Sequence, residues 1–205
     1  MLAPAFACAA CSATPDERPG TALWNGRDLN GWEIVVKEPV PAGTALLRPA
    51  ADGVLQVAGK PVGYFATRES YSDFELVLEW RWTEKPGNSG VLLHIGEART
   101  DKVWPNCLQV QMKAGTAGEL LPMEGFTFAE LPPGARALPR TAATQEAPAG
   151  GWNVCRILCR GDAVECWLNG TLANRATHCS ARAGRIGIQL EGAPFELRGL
   201  VLRKL

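Results

Sequence analysis

Alternating apolar and polar side chains between positions 74 and 113 constrain the fold more than any other feature of this chain. Along residues 74–82 the even positions hold Phe, Leu, Leu, Trp and Trp, whereas the odd positions hold Glu, Val, Glu and Arg. Residues 107–113 alternate in the same way, with Gln109, Gln111 and Lys113 on the polar side. Because side chains of a β-strand point alternately to its two faces, both segments are predicted to be strands with one packed face and one polar face.

A third strand is predicted at residues 89–95, after a turn at residues 84–88 that contains Pro, Gly and Asn. If the three strands adjoin, five polar side chains share one sheet face: Glu79, Arg81, His94, Gln109 and Gln111. A buried polar group without a partner costs about 1–3 kcal/mol, and a whole domain is stable by only about 5–15 kcal/mol. We therefore expect this face to be an open, wet groove, either for a ligand or as an ordinary solvated surface.

The composition favours an all-β fold. The 205-residue chain contains 22 Gly and 15 Pro and few stretches of helical periodicity, which is typical of many short strands joined by turns. Residues 21–205 are long enough for a single β-sandwich domain, and residues 1–20 are interpreted as a tail and linker. The 21 basic and 21 acidic residues cancel to a net charge of +0 and form no runs, so nucleic acid and anionic membranes are not expected as partners.

The first residues suggest export. Residues 1–11 are rich in Ala and include Cys8 and Cys11, a pattern that resembles the end of a secretory signal or a lipid-modified Cys. A disordered N-terminus explains the same composition. No run approaches the roughly 20 apolar residues of a transmembrane helix. We therefore expect a periplasmic or extracellular protein that is soluble or tethered only at its end.

The cysteines after the tail are predicted to be unpaired core residues. A hairpin that turns at residues 161–162 places Cys155 opposite Leu168 and Cys159 opposite Val164, all on one face. Cys155 and Cys159 then lie roughly 13 Å apart, beyond the Cα separation of about 7 Å that a disulfide tolerates. The odd total of seven Cys argues against a disulfide framework, and no paired CxxC motifs predict a zinc cluster.

Residues 114–151 lose their periodicity and are interpreted as one long irregular connection. Long loops in compact domains often carry function, so this one is a candidate wall of the groove. Its first part, residues 114–119, is Gly-rich but lacks the Lys and the strand-to-helix context of a phosphate-binding loop. We therefore predict a loop without a nucleotide site.

Seven segments together carry a family resemblance: residues 23–32, 88–94, 104–111, 117–119, 152–153, 168–170 and 187–198. In this order they resemble the motifs of the 3-keto-disaccharide hydrolase family. The resemblance implies a concanavalin A-like β-sandwich, or jelly roll, of two antiparallel sheets with a concave polar groove. It also implies an exported bacterial protein that acts on glycosides whose sugar has been oxidised to a ketone at C3. Two departures concern charge, because the family commonly has Glu where this chain has Gln109, and Asp where it has Glu119.

A 3-keto sugar suits a polar groove without an obvious pair of glycosidase carboxylates. The ketone acidifies the proton at C2, so a base can form an enolate that expels the C1 substituent, after which water adds back. His94 is the first candidate for this base, since its unperturbed pKa lies near neutrality, and Glu79 is the second. A structural, hydrogen-bonded histidine is the alternative for His94.

The remaining candidates bind substrate or a cation. Arg81, Gln109 and Gln111 are expected to orient hydroxyls or stabilise the developing charge, and Trp104 to stack on a sugar. Asn88 and Glu124 are further candidate substrate-binding residues. A divalent cation on Glu79 or Glu124 is a possible cofactor.

Two other functions fit the same residues. Residues 79–84 have the spacing of the E-x-D-x-x-E strand of laminarinase-type glucanases, but Arg81 stands where Asp is required for a double displacement by two carboxylates. A sugar-binding module without catalysis is the alternative from another class, since fold does not imply function and Gln109 removes a carboxylate. We expect Trp82 to be a core residue in each case.

Overall fold

The computed structural model describes residues 19–96, 102–143 and 146–205. These residues form fourteen β-strands and one short 3-10 turn, Ala51–Gly53. In chain order the strands are β1 (Thr21–Ala22), β2 (Trp32–Val36), β3 (Leu47–Pro49), β4 (Leu55–Val57), β5 (Gly63–Tyr71), β6 (Phe74–Trp82), β7 (Gly90–Ile95), β8 (Cys107–Gln111), β9 (Leu120–Met123), β10 (Asn153–Arg160), β11 (Ala163–Leu168), β12 (Thr171–Ala176), β13 (Gly184–Leu190) and β14 (Phe195–Lys204).

The strands form two antiparallel sheets. Sheet A has the order β12-β11-β10-β6-β14-β4-β3, with β1 paired to β14 as its eighth strand. Sheet B has the order β2-β5-β13-β7-β8-β9. The fold is therefore the two-sheet β-sandwich that the resemblance implies. Among the described residues, no helix has the length and apolar composition needed to cross a membrane.

The core lies between the sheets and follows the predicted alternation. The even positions of β6, from Phe74 to Trp82, belong to one buried cluster with Val91 of β7 and Leu108 of β8. Trp82 is among these core residues, as predicted. The odd positions of β6 therefore point to the outer face of sheet A.

The three strands between residues 74 and 113 do not all lie in one sheet. This corrects the expectation that their polar side chains share a single face. β6 pairs with β10 and β14 in sheet A, whereas β7 pairs with β13 and β8 in sheet B. The chain crosses from one sheet to the other between β6 and β7. Alternation reports which side chains share a face of one strand, but it does not report which strands are neighbours, so the pattern alone was insufficient.

The predicted hairpin of β10 and β11 is confirmed. Cys155 pairs with Leu168 and Cys159 with Val164, in the expected register. The five described cysteines are free and buried, as predicted: Cys107, Cys155, Cys159, Cys166 and Cys179. Burial raises the pKa of the Cys159 thiol, which suits a small apolar core residue. Cys8 and Cys11, and with them the predicted export signal, lie outside the described residues.

The connection between β8 and β10 is more ordered than the sequence suggests. It contains β9, which pairs with β8, and Leu120 forms a further bridge with Leu138. The carboxylate of Glu146 binds the Gly-rich turn before β9. It accepts hydrogen bonds from the backbone N–H groups of Gly115 at 2.9 Å and Ala117 at 3.3 Å. Arg140 also donates to Glu146, at 3.0 Å. The carboxylate thus ties the beginning of the connection to its end.

Two edge strands are short and contain proline. β3, at one edge of sheet A, ends with Pro49, and β9, at one edge of sheet B, contains Pro122. Because proline has no backbone N–H, neither strand presents a complete set of donors along its free side.

Candidate functional site

The outer face of sheet B holds the largest group of predicted site residues. Cross-strand pairing aligns one row of side chains across all six strands, because directly paired residues point to the same face. In order from β2 to β9 the row is Glu33, Ala66, Gly187, Leu92, Gln109 and Leu121. The small residues Ala66 and Gly187 lie toward the β2 side of the row, and Leu92 separates them from Gln109.

Gln109 is part of a hydrogen-bonded chain of side chains, which we call the amide chain: Gln111, Gln109, Gln189, Glu191 and Asn88. Gln109 Nε2 donates to Gln111 Oε1 and to Gln189 Oε1, both at 3.0 Å. Gln189 Nε2 then donates to Glu191 Oε2 at 2.6 Å, and Asn88 Nδ2 donates to the same oxygen at 3.0 Å. The chain links strands β8 and β13 across the intervening β7.

The orientation of every amide in this chain follows from its two ends. At one end the backbone N–H groups of Met112 and Lys113 donate to Gln111 Oε1, each at 3.2 Å. A backbone N–H can only donate, so this atom must be the oxygen, and Gln109 must present its NH₂ group. At the other end the Glu191 carboxylate only accepts, so Gln189 must also present its NH₂ group there. The chain therefore has one consistent direction.

This direction leaves unused hydrogen-bonding capacity. In the described part of the chain, Gln111 Nε2 and Gln109 Oε1 make no hydrogen bond to protein, and neither belongs to the buried atoms that lack a partner. One is a donor and the other an acceptor. Gln109 is 2% and Gln111 7% exposed, so a ligand would meet this donor and this acceptor only where the two amides reach the surface.

Gly90 makes the amide chain possible. It lies opposite Gln111 on the neighbouring strand, and a Cβ atom at this position would come within 2.5 Å of Gln109 Nε2 and 2.8 Å of Gln109 Cγ. Such contacts are closer than side chains tolerate. The absent side chain of Gly90 thus provides the space through which Gln109 reaches Gln189.

The other end of this face carries an aromatic residue and a charged pair. Trp104 packs, half-buried, against a small cluster on the outer face of sheet B that includes Tyr64, Leu92 and Cys107. Glu124 follows β9 and accepts from Lys102 Nζ at 2.6 Å, while its backbone carbonyl accepts from Asn106 at 2.9 Å. The Glu124 side chain is 22% exposed. Glu124 also has a left-handed backbone with φ of 48°, which costs about 1–3 kcal/mol for a residue with a side chain.

The pKa shifts of Cys107 and Tyr64 indicate which charged groups lie close to them. Burial raises the pKa of the Cys107 thiol, and the negative charge of Glu124 raises it further, so the carboxylate lies near the cluster under Trp104. Burial likewise raises the pKa of Tyr64, against the opposing effect of the Arg185 charge. Arg185 is held by Glu33 at 2.6 Å on the same face. Acid, tyrosine and thiol therefore converge next to the amide chain.

His94 does not belong to this face, which corrects its assignment as the base. The pairing between β13 and β7 shifts in register between Leu92 and Ile95, and His94 has a left-handed backbone with φ of 55°. Beyond such a bulge the alternation no longer predicts the direction of a side chain. The imidazole packs edge-on against Phe74, with ring centroids 6.2 Å apart, and the residue is only 2% exposed. Burial lowers the pKa of His94 to about 4.

Glu79 and Arg81 lie on the other side of the molecule. Both project from β6 onto the outer face of sheet A, where Arg198 binds Glu79 at 2.7 Å and Glu196 binds Arg81 at 2.7 Å. Their predicted position beside Gln109 and Gln111 is therefore wrong. The glucanase-like spacing lies on the same strand, and Glu84 falls in an exposed turn beyond its end.

The structure thus brings together Gln109, Gln111 and Asn88 in the amide chain, and places Trp104 and Glu124 at the other end of the same face. Sequence reasoning missed Gln189 and Glu191. A signal for Gln189 was present, since Ile186, Ile188 and Leu190 are core residues and the glutamine interrupts them at an outward position.

The predicted divalent cation finds no ligand set here. Among the described residues no group of three or more His, Cys, Asp and Glu side chains is placed to hold a metal ion. The ammonium of Lys102 on Glu124 also opposes a second cation at that carboxylate. The described residues around Glu79 and Glu124 therefore do not form a ligand set for a divalent cation.

Solved structures share this fold. A proposed glycosyl hydrolase from Parabacteroides distasonis aligns with a TM-score of 0.68 and 20% identity, covering 91% of this chain and 94% of that chain. The carbohydrate binding module CBM66 from Bacillus subtilis aligns with a TM-score of 0.60 and 13% identity, covering 85% and 96%. The β-glucanase of Bacillus licheniformis aligns with a TM-score of 0.59 and 8% identity, covering 93% and 100%. At these identities the similarity establishes the concanavalin A-like architecture.

The sequence itself identifies a narrower group. Among curated proteins none matches the chain significantly. Residues 19–203, which span both sheets, match the model of one protein family. The resemblance noted from the seven segments is thereby confirmed, and a carbohydrate-active role follows from it. The chain belongs to the family of 3-keto-alpha-glucoside-1,2-lyase-like domains.

Proposed function

We propose that the outer face of sheet B binds a glycoside with a ketone at C3 and releases its C1 substituent by elimination. The observation that carries this proposal is the amide chain with its fixed direction. A donor at Gln111 Nε2 and an acceptor at Gln109 Oε1 match the paired donor and acceptor functions of sugar hydroxyls. The family to which the chain belongs supports the 3-keto sugar as the substrate class.

Trp104 and the amide chain would border the sugar from two sides. An aromatic face suits the apolar C–H side of a pyranose, while the amides suit its hydroxyl groups. Ala66, Gly187 and Leu92 lie between Glu33 and Gln109 in the row, and Ala66 and Leu92 are buried. The proposed sugar would therefore meet the amide chain and Trp104 rather than the middle of the row.

Glu124 is the proposed base. Its carboxylate is partly exposed, lies near Cys107 on this face, and is fixed by Lys102 and by a strained backbone, a feature that clusters at functional sites. In the proposed reaction Glu124 takes the C2 proton and the electron pair of the C2–H bond forms the enolate of the C3 ketone. The enolate then collapses to a C1=C2 double bond as the C1–O bond breaks, and the leaving oxygen takes up a proton. Water that adds across C1=C2 completes a net hydrolysis.

The ammonium of Lys102 would assist this step electrostatically. It lies 2.6 Å from Glu124 and is about half exposed, so it is placed beside any substrate proton that Glu124 removes. A fixed positive charge near a developing enolate lowers the barrier, because the charge is already oriented before the reaction.

A carbohydrate-binding module without catalysis is the second candidate. The observation that favours it is that Glu124 is ion-paired and that Gln109 offers an amide where the family commonly offers a carboxylate. Such a module would use the same amide chain and Trp104 but would leave the glycoside intact.

Incubation with 3-keto-lactose, followed by mass spectrometry of the released sugar, tests the enzyme. We expect release by the wild type, exchange of the C2 hydrogen with deuterated water, and a loss of about 10²–10⁴-fold in rate for Glu124→Gln. Glu130→Gln, an acid that binds Thr177 away from this face, is the matched control and should keep full rate. Binding of 3-keto-lactose without any release would favour the module instead, and cleavage of unoxidised laminarin would contradict the ketone requirement.

A further inference from the structure

A second pocket lies at the far edge of sheet A. It has a volume of about 490 Å³ and is formed where β3, β4 and the start of β14 meet the turn after β6. This volume falls within the range of roughly 300–1,000 Å³ that is typical of small-molecule sites. The pocket shares no strand with the site on sheet B, so the two are independent.

A row of polar side chains crosses the bottom of this pocket. Register pairs Arg48 with Gln56, Gln56 with Glu196, and Glu196 with Arg81, across the four strands β3, β4, β14 and β6. Directly paired residues point to the same face, so all four side chains lie on the outer face of sheet A. The first three also line the pocket.

The hydrogen bonds within this row are incomplete. Glu196 Oε2 accepts from Arg81 Nε at 2.7 Å, but Glu196 Oε1 accepts only a long bond of 3.3 Å from Gln56 Nε2. Arg48 forms no ion pair or hydrogen bond through its side chain with the described residues. Five guanidinium donors, the Gln56 carbonyl and part of a carboxylate thus remain available to a ligand.

The pocket combines this polar row with a small amount of apolar surface. Ala45, Ala58 and Pro194 line it and are exposed, whereas Leu46, Val57 and Phe195 lie behind it as buried core residues. A few convergent polar groups beside apolar atoms are typical of a ligand site.

The charges select against an anion. Two acids, Glu84 and Glu196, line the pocket together with one base, Arg48. Arg81 neutralises Glu196 from the neighbouring strand, so Glu84 and Arg48 balance each other and the pocket has no excess of positive charge to attract a carboxylate ligand. Neutral hydroxyl groups, in contrast, pair with both signs, since they donate to Glu196 and accept from Arg48.

We propose that this pocket is a second saccharide site, which binds one neutral sugar unit through Arg48, Gln56 and Glu196. It does not depend on the reaction proposed for sheet B. Because the two sites lie on opposite outer faces, one protein molecule would hold two separate glycans, or two distant parts of one branched glycan, at the same time. Two weak sites then act together on a surface that displays many sugars.

A nuclear magnetic resonance titration of the backbone amides with cellobiose, maltose and lactose tests this proposal. We expect saturable shifts at residues 45–58 and 194–196, separate from those at residues 107–111 and 187–191. The double variant Arg48→Ala/Gln56→Ala should weaken binding in the first group by about tenfold or more, the loss expected for one or two hydrogen bonds, and leave the second group unchanged. Both side chains are exposed, so the fold should persist, and an unchanged spectrum elsewhere verifies it.

Arg68→Ala, which removes an exposed arginine from β5, is the matched control and should leave both groups of shifts as in the wild type. Absence of any response at residues 45–58 to the three disaccharides would overturn the proposal, as would tighter binding of glucuronate than of the neutral sugars in this pocket. Failure of the sheet B site would appear instead at residues 107–111, so the two proposals fail separately.

Discussion

The outer faces of the two sheets are both polar, but they satisfy their polar groups differently. On sheet A, acids and bases of neighbouring strands neutralise one another, as Glu75 does with Arg156 at 2.5 Å and Arg203 at 3.1 Å. Arginines there also cover aromatic rings, with Arg198 lying 4.1 Å from the centroid of Trp152. On sheet B the polar groups are mostly amides, and two amide atoms keep unused capacity. The comparison teaches that polarity alone does not mark a site, whereas hydrogen-bonding capacity that the protein leaves unfilled does.

The largest effect is expected where charge is buried and paired. Glu75 is 1% exposed, so Glu75→Gln removes a buried charge that pairs with both Arg156 and Arg203 and should lower the free energy of unfolding by about 3–5 kcal/mol. Glu79→Gln, on the same strand and face, breaks a pair that is 28% and 41% exposed and should change it by less than about 1 kcal/mol. Urea denaturation measures both. Equal losses of unfolding free energy in the two variants would show that burial does not make the Glu75 pairs more stabilising than the Glu79 pair.

A pH titration of stability tests the interior position of His94. Its pKa is lowered from 6.5 to about 4, so the unfolded chain takes up a proton at a higher pH than the folded protein does. Stability should therefore be full above pH 6.5, fall by about 3 kcal/mol as the pH drops to about 4, and then level off for this group. His94→Asn, which tolerates the left-handed backbone, should remove this part of the pH dependence. If the His94→Asn variant kept the same dependence of stability on pH, His94 would not have a lowered pKa and its burial would be contradicted.

Much of this molecule was predictable from alternation, and its failures share one cause. The strand β6, the hairpin of β10 and β11, and the outward direction of Gln109 and Gln111 all follow from a period of two. The position of Glu79 does not, because strand pairing is a long-range property. Nor does that of His94, because one bulge reverses the direction of every later side chain in the strand. The partners of the amide chain were also hidden, since Gln109 and Gln189 are 80 residues apart in sequence.

Reversing the hydrogen-bonding polarity of Gln109 tests the direction of the amide chain. In Gln109→Glu a carboxylate, which only accepts hydrogen bonds, faces the oxygens of Gln111 and Gln189. The substitution should therefore lower the free energy of unfolding by about 1–3 kcal/mol at pH 7. The repulsion raises the folded pKa of the new carboxyl above its unfolded value of about 4.3, so the deficit should shrink as the pH falls toward that value. This trend is opposite to that of His94. A deficit that is independent of pH would show that the two oxygens do not face Gln109.

A small effect on stability is expected at Gly90. Gly90→Ala adds a Cβ atom 2.5 Å from Gln109 Nε2, but the clash is with a flexible side chain, so the cost should be about 1 kcal/mol, at the low end for overpacking. Sugar binding on sheet B should nevertheless weaken, because Gln109 is displaced from Gln189. Calorimetric titration with 3-keto-lactose measures this loss. An unchanged affinity would mean that the amide chain does not contact the sugar.

The prolines at the free sides of β3 and β9 bear on how the protein behaves at high concentration. Exposed strand edges are templates on which other chains add strands, and this is a common route to aggregates. Pro49 and Pro122 interrupt that template at one side of each sheet. These two edges therefore pair less readily with the strands of other molecules. Replacement of either proline by valine is expected to increase fibril formation while leaving the native structure unchanged.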